Sequence, residues 1–247
     1  MSQSCIIVTG ASRGIGAAIA ESLAQAGFMV GCLSRSGDSP QRPNAIDEVR
    51  RRWLAASCDV TDPGQVRAAM ETIRQRCGVP IAGLVNNAGV HMEGKSETFP
   101  LADYDKVMHT NASSVLIGSQ CVFPLLREQG GLIVNIGSFF DKMGVKRNLA
   151  YCASKAAVGA ITRCLAVEWA SVGIRVMNVA PGYISTDLNR EALATGPLRA
   201  FLEKRIPGGE PGTSEDVAAL VALLFAMPGG FLSGETIYID GAQGVAH

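Results

Sequence analysis

Short apolar runs alternate with helix-forming stretches along almost the whole chain, and that alternation restricts the fold more than any single motif. Cys5-Ile6-Ile7-Val8 has no polar residue to turn toward solvent, so it reads as a strand buried on both faces. Residues 9–16 follow with three glycines, and residues 17–26 are rich in good helix formers. The pattern then repeats: strands at 28–33, 54–58 and 81–85, with a helix over Pro63–Cys77. A long helix around 104–128, a strand at 132–136 and a helix carrying Tyr151 and Lys155 come next. A strand at 175–179, a helix at 214–227 and a strand at Thr236–Ile239 complete the series. Thr213 and Asp216 have the spacing of a capping box at the start of the late helix. Such alternation predicts an α/β fold, a doubly wound parallel sheet with helices on both faces. Two stretches fit less regularly. Residues 36–44 contain Pro40 and Pro43, which predicts a loop and a shortened helix. Residues 183–206 are polar, carry Gly196-Pro197, and read as a mobile excursion of the kind that covers a substrate.

The 247 residues suit one large domain, 1–247, and show no internal repeat or linker. Lys and Arg balance Asp and Glu at 22 each, which removes the electrostatic case for nucleic acid or an anionic membrane. Seven scattered cysteines without a Cys-x-x-Cys, and three histidines, argue against zinc and for a reducing compartment. No basic-then-apolar leader opens the chain and no apolar run reaches the length of a membrane span, so the expectation is a cytoplasmic protein.

Gly10, Gly14 and Gly16 lie between a predicted strand and a predicted helix, where glycine permits a tight turn and close approach to a phosphate. With Ser12, Arg13 and Ile15 they form a candidate dinucleotide loop, spaced G-x-x-x-G-x-G. NAD-binding folds place an acid on the ribose 2′-hydroxyl about twenty residues beyond such a loop. Here the sequence reads Leu33-Ser34-Arg35-Ser36, so Arg13 and Arg35 predict a 2′-phosphate and hence NADP(H). Asp59 and Val60 at one strand end suit an adenine, and Asn86-Asn87-Ala88-Gly89 at the next lets a flat cofactor lie against the backbone. Tyr151 and Lys155, four apart, share a helical face, and a phenol beside an ammonium is a candidate proton donor.

In this order and spacing the pieces resemble the short-chain dehydrogenases/reductases of the classical type. The resemblance rests on residues 9–16, Asp59, residues 86–89, Asn111, Ser138, Tyr151, Lys155, and Pro181-Gly182 with Ile184 and Thr186. It implies a Rossmann-type sheet of seven parallel strands in the order 3-2-1-4-5-6-7. Tyr151 would protonate a carbonyl oxygen while NADPH delivers hydride to the carbon. Lys155 would hold the nicotinamide ribose and lower the Tyr151 pKa, and Ser138 would orient the carbonyl. Asn111 would link Lys155 to solvent through a water, and Pro181, Gly182, Ile184 and Thr186 would support the carboxamide. Within the family the chain looks most like the 3-oxoacyl thioester reductases, acting on acyl carrier protein or coenzyme A esters. A general carbonyl reductase on small ketones, quinones or polyols is the alternative, and a dinucleotide-binding protein without turnover a more distant one. A homotetramer is also implied.

Some positions depart from that pattern. Phe139 and Phe140 follow Ser138 and either wall the substrate pocket or pack in the core. Carrier-dependent reductases commonly have basic residues where this chain reads Glu128-Gln129-Gly130 and Ser171-Val172-Gly173. Arg190, Arg199, Lys204 and Arg205 offer positive charge in the excursion instead. Val158, Ile161, Leu165 and Trp169 recur at helical spacing and face either the sheet or a partner, while His91 and His109 suggest no role.

Overall fold

The computed structural model describes residues 4–186 and 196–246. Its sheet is built from β1 (Cys5–Thr9), β2 (Met29–Ser34), β3 (Trp53–Ser57), β4 (Ile81–Asn86), β5 (Gly131–Ile136), β6 (Ile174–Pro181) and a strand at Thr236–Ile239. All the pairings are parallel, in the order β3-β2-β1-β4-β5-β6 followed by Thr236–Ile239, as expected from the sequence. Two short strands were not foreseen: β7 (Ile184–Ser185) pairs with β8 (Gly212–Thr213) beside the sheet, making Thr236–Ile239 β9.

The helices are α1 (Gly14–Gln25), α2 (Asp47–Arg50), α3 (Pro63–Cys77), α4 (Leu101–Met108), α5 (Ser114–Leu126), α6 (Leu149–Glu168), α7 (Pro197–Arg205) and α8 (Ser214–Ala226). Alternate strand residues divide the core between two layers. Ile6, Val8, Val134 and Val179 pack with Ile19 and Leu23 of α1 and Val217 and Val221 of α8. Ile7, Leu84, Ile133 and Val176 pack with Ile73 of α3, Leu126 of α5 and Leu165 of α6. Val158 and Leu165 of the α6 stripe are buried, and Ile161 and Trp169 pack against the same layer, so the stripe faces the core.

Local signals set the ends of several elements. The Asp62 carboxylate accepts from the amides of Gly64 and Gln65, Pro63 occupies the first turn of α3, and Gly78 ends it at φ 64. Thr213 and Asp216 close the foreseen capping box on α8. The proline-rich crossover does contain a single helical turn, α2.

The long helix expected around 104–128 is broken. Its first part ends at Met108, and His109–Ser113 form a π-helical turn before α5 begins. Asn111 in that turn spends its side chain on another segment: Oδ1 accepts from the Val90 amide at 2.8 Å, and Nδ2 donates to the Val90 carbonyl at 2.8 Å. The break therefore arises from a tertiary partner, and helical propensity alone could not reveal it.

No described helix is long and apolar enough to cross a membrane. All seven cysteines are free, and no cluster of potential metal ligands occurs among the described residues.

Candidate active site

The strand order reverses between β1 and β4, and a cleft opens over their C-terminal ends, the place where open α/β sheets bind ligands. Thr9 ties the two ends together. Its hydroxyl accepts from the amides of Asn87 (2.9 Å) and Ala88 (3.1 Å), while Asn87 Nδ2 donates to the carbonyls of Thr9 (2.9 Å) and Gly10 (3.2 Å). The glycines are needed for two different reasons. Gly10 takes φ +65, and a Cβ on Gly16 would lie 2.2 Å from the Gly10 carbonyl oxygen. Gly14 also takes a left-handed φ, +56, yet its Cβ would meet nothing closer than Thr186 at 3.9 Å.

The cleft has a volume of about 680 Å³. It is lined by the whole glycine loop (Gly10, Ser12, Arg13, Gly14, Ile15 and Gly16) and by Arg35, Asp59 and Val60. Asn87, Ala88, Gly89 and Thr186 also line it, so most of the expected cofactor residues are brought together. Ser34, Lys106 and His109 line it as well and were missed, because nothing in their local sequence marks them. Asp59 accepts from the amide and hydroxyl of Thr61 at 2.9 and 2.7 Å, and these bonds hold its carboxyl below the usual range. The side chains of Arg13 and Arg35 are exposed and make no ion pair among the described residues.

Asn86 departs from its expected role. Its Nδ2 donates to Asn135 Oδ1 at 2.9 Å and Ser119 Oγ at 3.3 Å beneath the sheet, and Asn135 passes the chain on to Thr162 Oγ1 at 2.9 Å. This buried amide relay joins β4, α5, β5 and α6, and leaves the cleft to Asn87. Pro181 ends β6, Gly182 lies between the two strands, and Ile184 opens β7. Gly182 donates to the Ile239 carbonyl at 3.0 Å, where a Cβ would come within 2.7 Å of Asp240.

Tyr151 and Lys155 sit in the first turns of α6, beneath β5 and Ser138. Lys155 is 5% exposed, its Nζ donates to the Ile136 carbonyl at 2.8 Å, and it lies 5.6 Å from the centre of the Tyr151 ring. No carboxylate pairs with it among the described residues, and burial pushes its pKa down to about 8. Burial raises the Tyr151 pKa, and a hydrogen bond with Ser138 works in the opposite sense. In the protein alone burial outweighs the contribution of Ser138, and the lowering expected from Lys155 is not among the causes that set the Tyr151 pKa. Asn111 reaches the same centre from the π turn, donating to Ser154 Oγ at 3.1 Å, and Ser154 donates to the Tyr151 carbonyl at 2.8 Å.

The aromatic residues sort themselves clearly. Phe139 and Phe140 occupy a 3₁₀ turn at 2% and 8% exposure, with ring centres 4.7 Å apart. Phe140 lies 6.0 Å from Tyr151, and Tyr183 closes the cluster at 5.5 and 6.0 Å. The two phenylalanines therefore back the site from within the core and offer little surface to a substrate. His91, to which the sequence suggested no role, stands edge-to-face against Tyr151 at 4.9 Å. Arg199 is paired with Glu203 and Glu210, so it is not a free cation of the excursion, and Arg190 lies outside the described residues.

The family model for short chain dehydrogenases matches residues 4–196. The chain belongs to that family. Among short-chain dehydrogenases, a 3-oxoacyl-[acyl-carrier-protein] reductase FabG of Salmonella typhimurium is 35% identical over 238 residues, 96% of each chain. The 3beta-hydroxysteroid dehydrogenase 1 of Eggerthella lenta is 33% identical over 242 residues, 96% of this chain and 92% of its own. A gluconate 5-dehydrogenase from Burkholderia cenocepacia, solved in complex with NADP and tartrate, superimposes with a TM-score of 0.88 at 29% identity, over 100% of this chain and 97% of its own. The protein is thus an oxidoreductase of the short-chain dehydrogenase family, and its relatives act on chemically different substrates.

Proposed function

We propose that this short-chain dehydrogenase reduces a ketone to a secondary alcohol with NADPH, and that Tyr151 is the proton donor. The observation that carries the reading is the Tyr151 phenol, toward whose ionised form Ser138 contributes, beside a buried ammonium that has no carboxylate partner among the described residues. Bound in the cleft, the nicotinamide would supply hydride to the carbonyl carbon. Tyr151 would give its proton to the oxygen, and Ser138 would hold that oxygen in line. Lys155 would hold the nicotinamide ribose and stabilise the transient phenolate. Asn111 keeps the π turn against Ser154, beneath Tyr151.

NADP(H) over NAD(H) is supported by Arg13 and Arg35 at the cleft rim and by the absence of an acid directly after β2. Each charge-assisted bond to a 2′-phosphate contributes about 1.5–3 kcal/mol. The 3-oxoacyl thioester is the leading substrate class, supported by the similarity to the FabG reductase. A small ketone without a carrier is the second reading, favoured by the uncharged Ser171-Val172-Gly173 corner and by the pairing of Arg199 with acids. Cytoplasmic location and a homotetramer accompany the first reading.

NADPH oxidation with acetoacetyl-coenzyme A, compared with simple diketones, separates the two classes. Tyr151→Phe should lower kcat by at least about a hundredfold while NADPH still binds. Unchanged turnover in that variant would remove Tyr151 from the mechanism.

A further inference from the structure

The segment that carries His91 is held at several points. Val90 is fixed through both backbone groups by Asn111. Four residues on, the Gly94 amide donates to the Arg147 carbonyl at 2.9 Å. Arg147 takes φ 67, a left-handed conformation that a side-chain-bearing residue keeps only where its surroundings impose it. Next to it Asn148, 7% exposed, hydrogen-bonds through Oδ1 with His91 Nε2.

That contact fixes the protonation pattern of the imidazole. Asn148 Nδ2 donates to the Lys146 carbonyl at 3.0 Å, so the amide oxygen must be the atom that faces His91. An amide oxygen only accepts, so Nε2 carries the ring proton. In the neutral ring Nδ1 is then a lone-pair acceptor, and it has no protein partner among the described residues. The residue is exposed, and its ring stands against the phenol that meets the carbonyl.

We propose that His91 is a specificity-determining residue that accepts a hydrogen bond from a substrate hydroxyl one or two carbons from the reacting ketone. This rests on the ketone-reduction reading and selects, within it, a hydroxy ketone of the polyol type. A 3-oxoacyl thioester offers no donor that close to its ketone: its next oxygen is a carbonyl, an acceptor that would meet the acceptor Nδ1. Phe139 and Phe140, packed near Tyr151 and buried, leave little polar surface to compete for the hydroxyl.

The test uses 1-hydroxy-2-butanone and 2-butanone, which differ by that hydroxyl alone. kcat/KM is measured with NADPH, together with the dissociation constant of each ketone from the protein–NADP⁺ complex. Wild-type protein should favour the hydroxy ketone on both measures. His91→Phe keeps an aromatic ring against Tyr151 without the acceptor, and should cut the preference about tenfold. His91→Asn, whose amide oxygen can replace Nδ1, should restore part of it. NADPH affinity, read by fluorescence, reports that each variant is folded. An equal preference in wild type and His91→Phe, or a wild type that favours 2-butanone, would overturn the assignment. Absence of turnover with both ketones would count against the ketone-reduction reading, and the binding ratio would still decide the role of His91.

Discussion

Replacing Lys155 by Met should make the protein without cofactor more stable at neutral pH, even though Lys155 lies at the centre of the proposed chemistry. The ammonium is buried, has one carbonyl for a partner at 2.8 Å among the described residues, and has its pKa pushed to about 8 from an ordinary 10.5. That difference corresponds to about 3 kcal/mol of unfavourable free energy while the group stays charged. Methionine fills a similar volume, but loses the bond to Ile136 and leaves that carbonyl one partner short, at a cost of about 1–2 kcal/mol. The net expectation at pH 7 is a gain of about 1–2 kcal/mol, or a Tm higher by roughly 3–6 °C in a chain of this size. Between about pH 8 and 10.5 the unfolded chain keeps the Lys155 proton and the folded chain releases it. Wild-type stability attributable to this group therefore rises with pH across that window, and the variant's advantage disappears there. Below pH 8 both states are protonated and the full penalty remains. Urea unfolding at pH 7, 8.5 and 10 measures the difference directly. A variant less stable than wild type by the same amount at all three values would refute the idea that Lys155 is held against its own solvation.

Arg35→Asp should weaken NADPH binding about ten- to a hundredfold and leave NADH binding unchanged or improved, read by fluorescence titration of both cofactors. Gly16→Ala should abolish cofactor binding, because its Cβ would sit 2.2 Å from the Gly10 carbonyl oxygen. Gly14→Ala, with open space around it but φ +56, should cost only about 1 kcal/mol in unfolding experiments. Asn135→Leu cuts the buried relay between Asn86 and Thr162 and should cost about 2–4 kcal/mol with little change in NADPH affinity; a large loss of affinity at full stability would move that relay into the cofactor site.

The sheet was legible because its information is local. β1 is apolar at nearly every position and is buried throughout, and Asp62, Pro63 and Gly78 mark both ends of α3 within a few residues. What stayed hidden depends on partners distant in the chain. The π turn exists because Asn111 binds Val90, 21 positions earlier, and the β7–β8 pair brings together segments 28 positions apart. Asn86 shows the same limit at a functional motif. It belongs to a run that borders the cleft, yet on a strand successive side chains point to opposite faces, so its amide goes under the sheet and Asn87 takes the cleft side.

His91 shows why an active centre is less legible than the fold that holds it. Nothing beside it in the sequence distinguishes it from a surface histidine; its meaning comes from Asn148, 57 positions later, whose own amide is turned by the Lys146 carbonyl. Lys155 and Tyr151 are the reverse case: the spacing revealed the pair, but not the balance of forces on it. Burial drives the lysine toward neutrality and the phenol away from ionisation, so the protein alone keeps the phenol protonated and holds the ammonium against its own solvation. A group that binds there and offers the ammonium hydrogen-bond acceptors relieves that cost, so cofactor binding should raise the Lys155 pKa above 8 and stabilise the fold at the same time. The pH dependence of NADP⁺ affinity tests the coupling. Between pH 7 and 9.5 affinity should fall as Lys155 loses its proton, whereas Lys155→Met should bind weakly with no such slope. Parallel pH profiles in the two proteins would show that the lysine's charge takes no part in holding the cofactor.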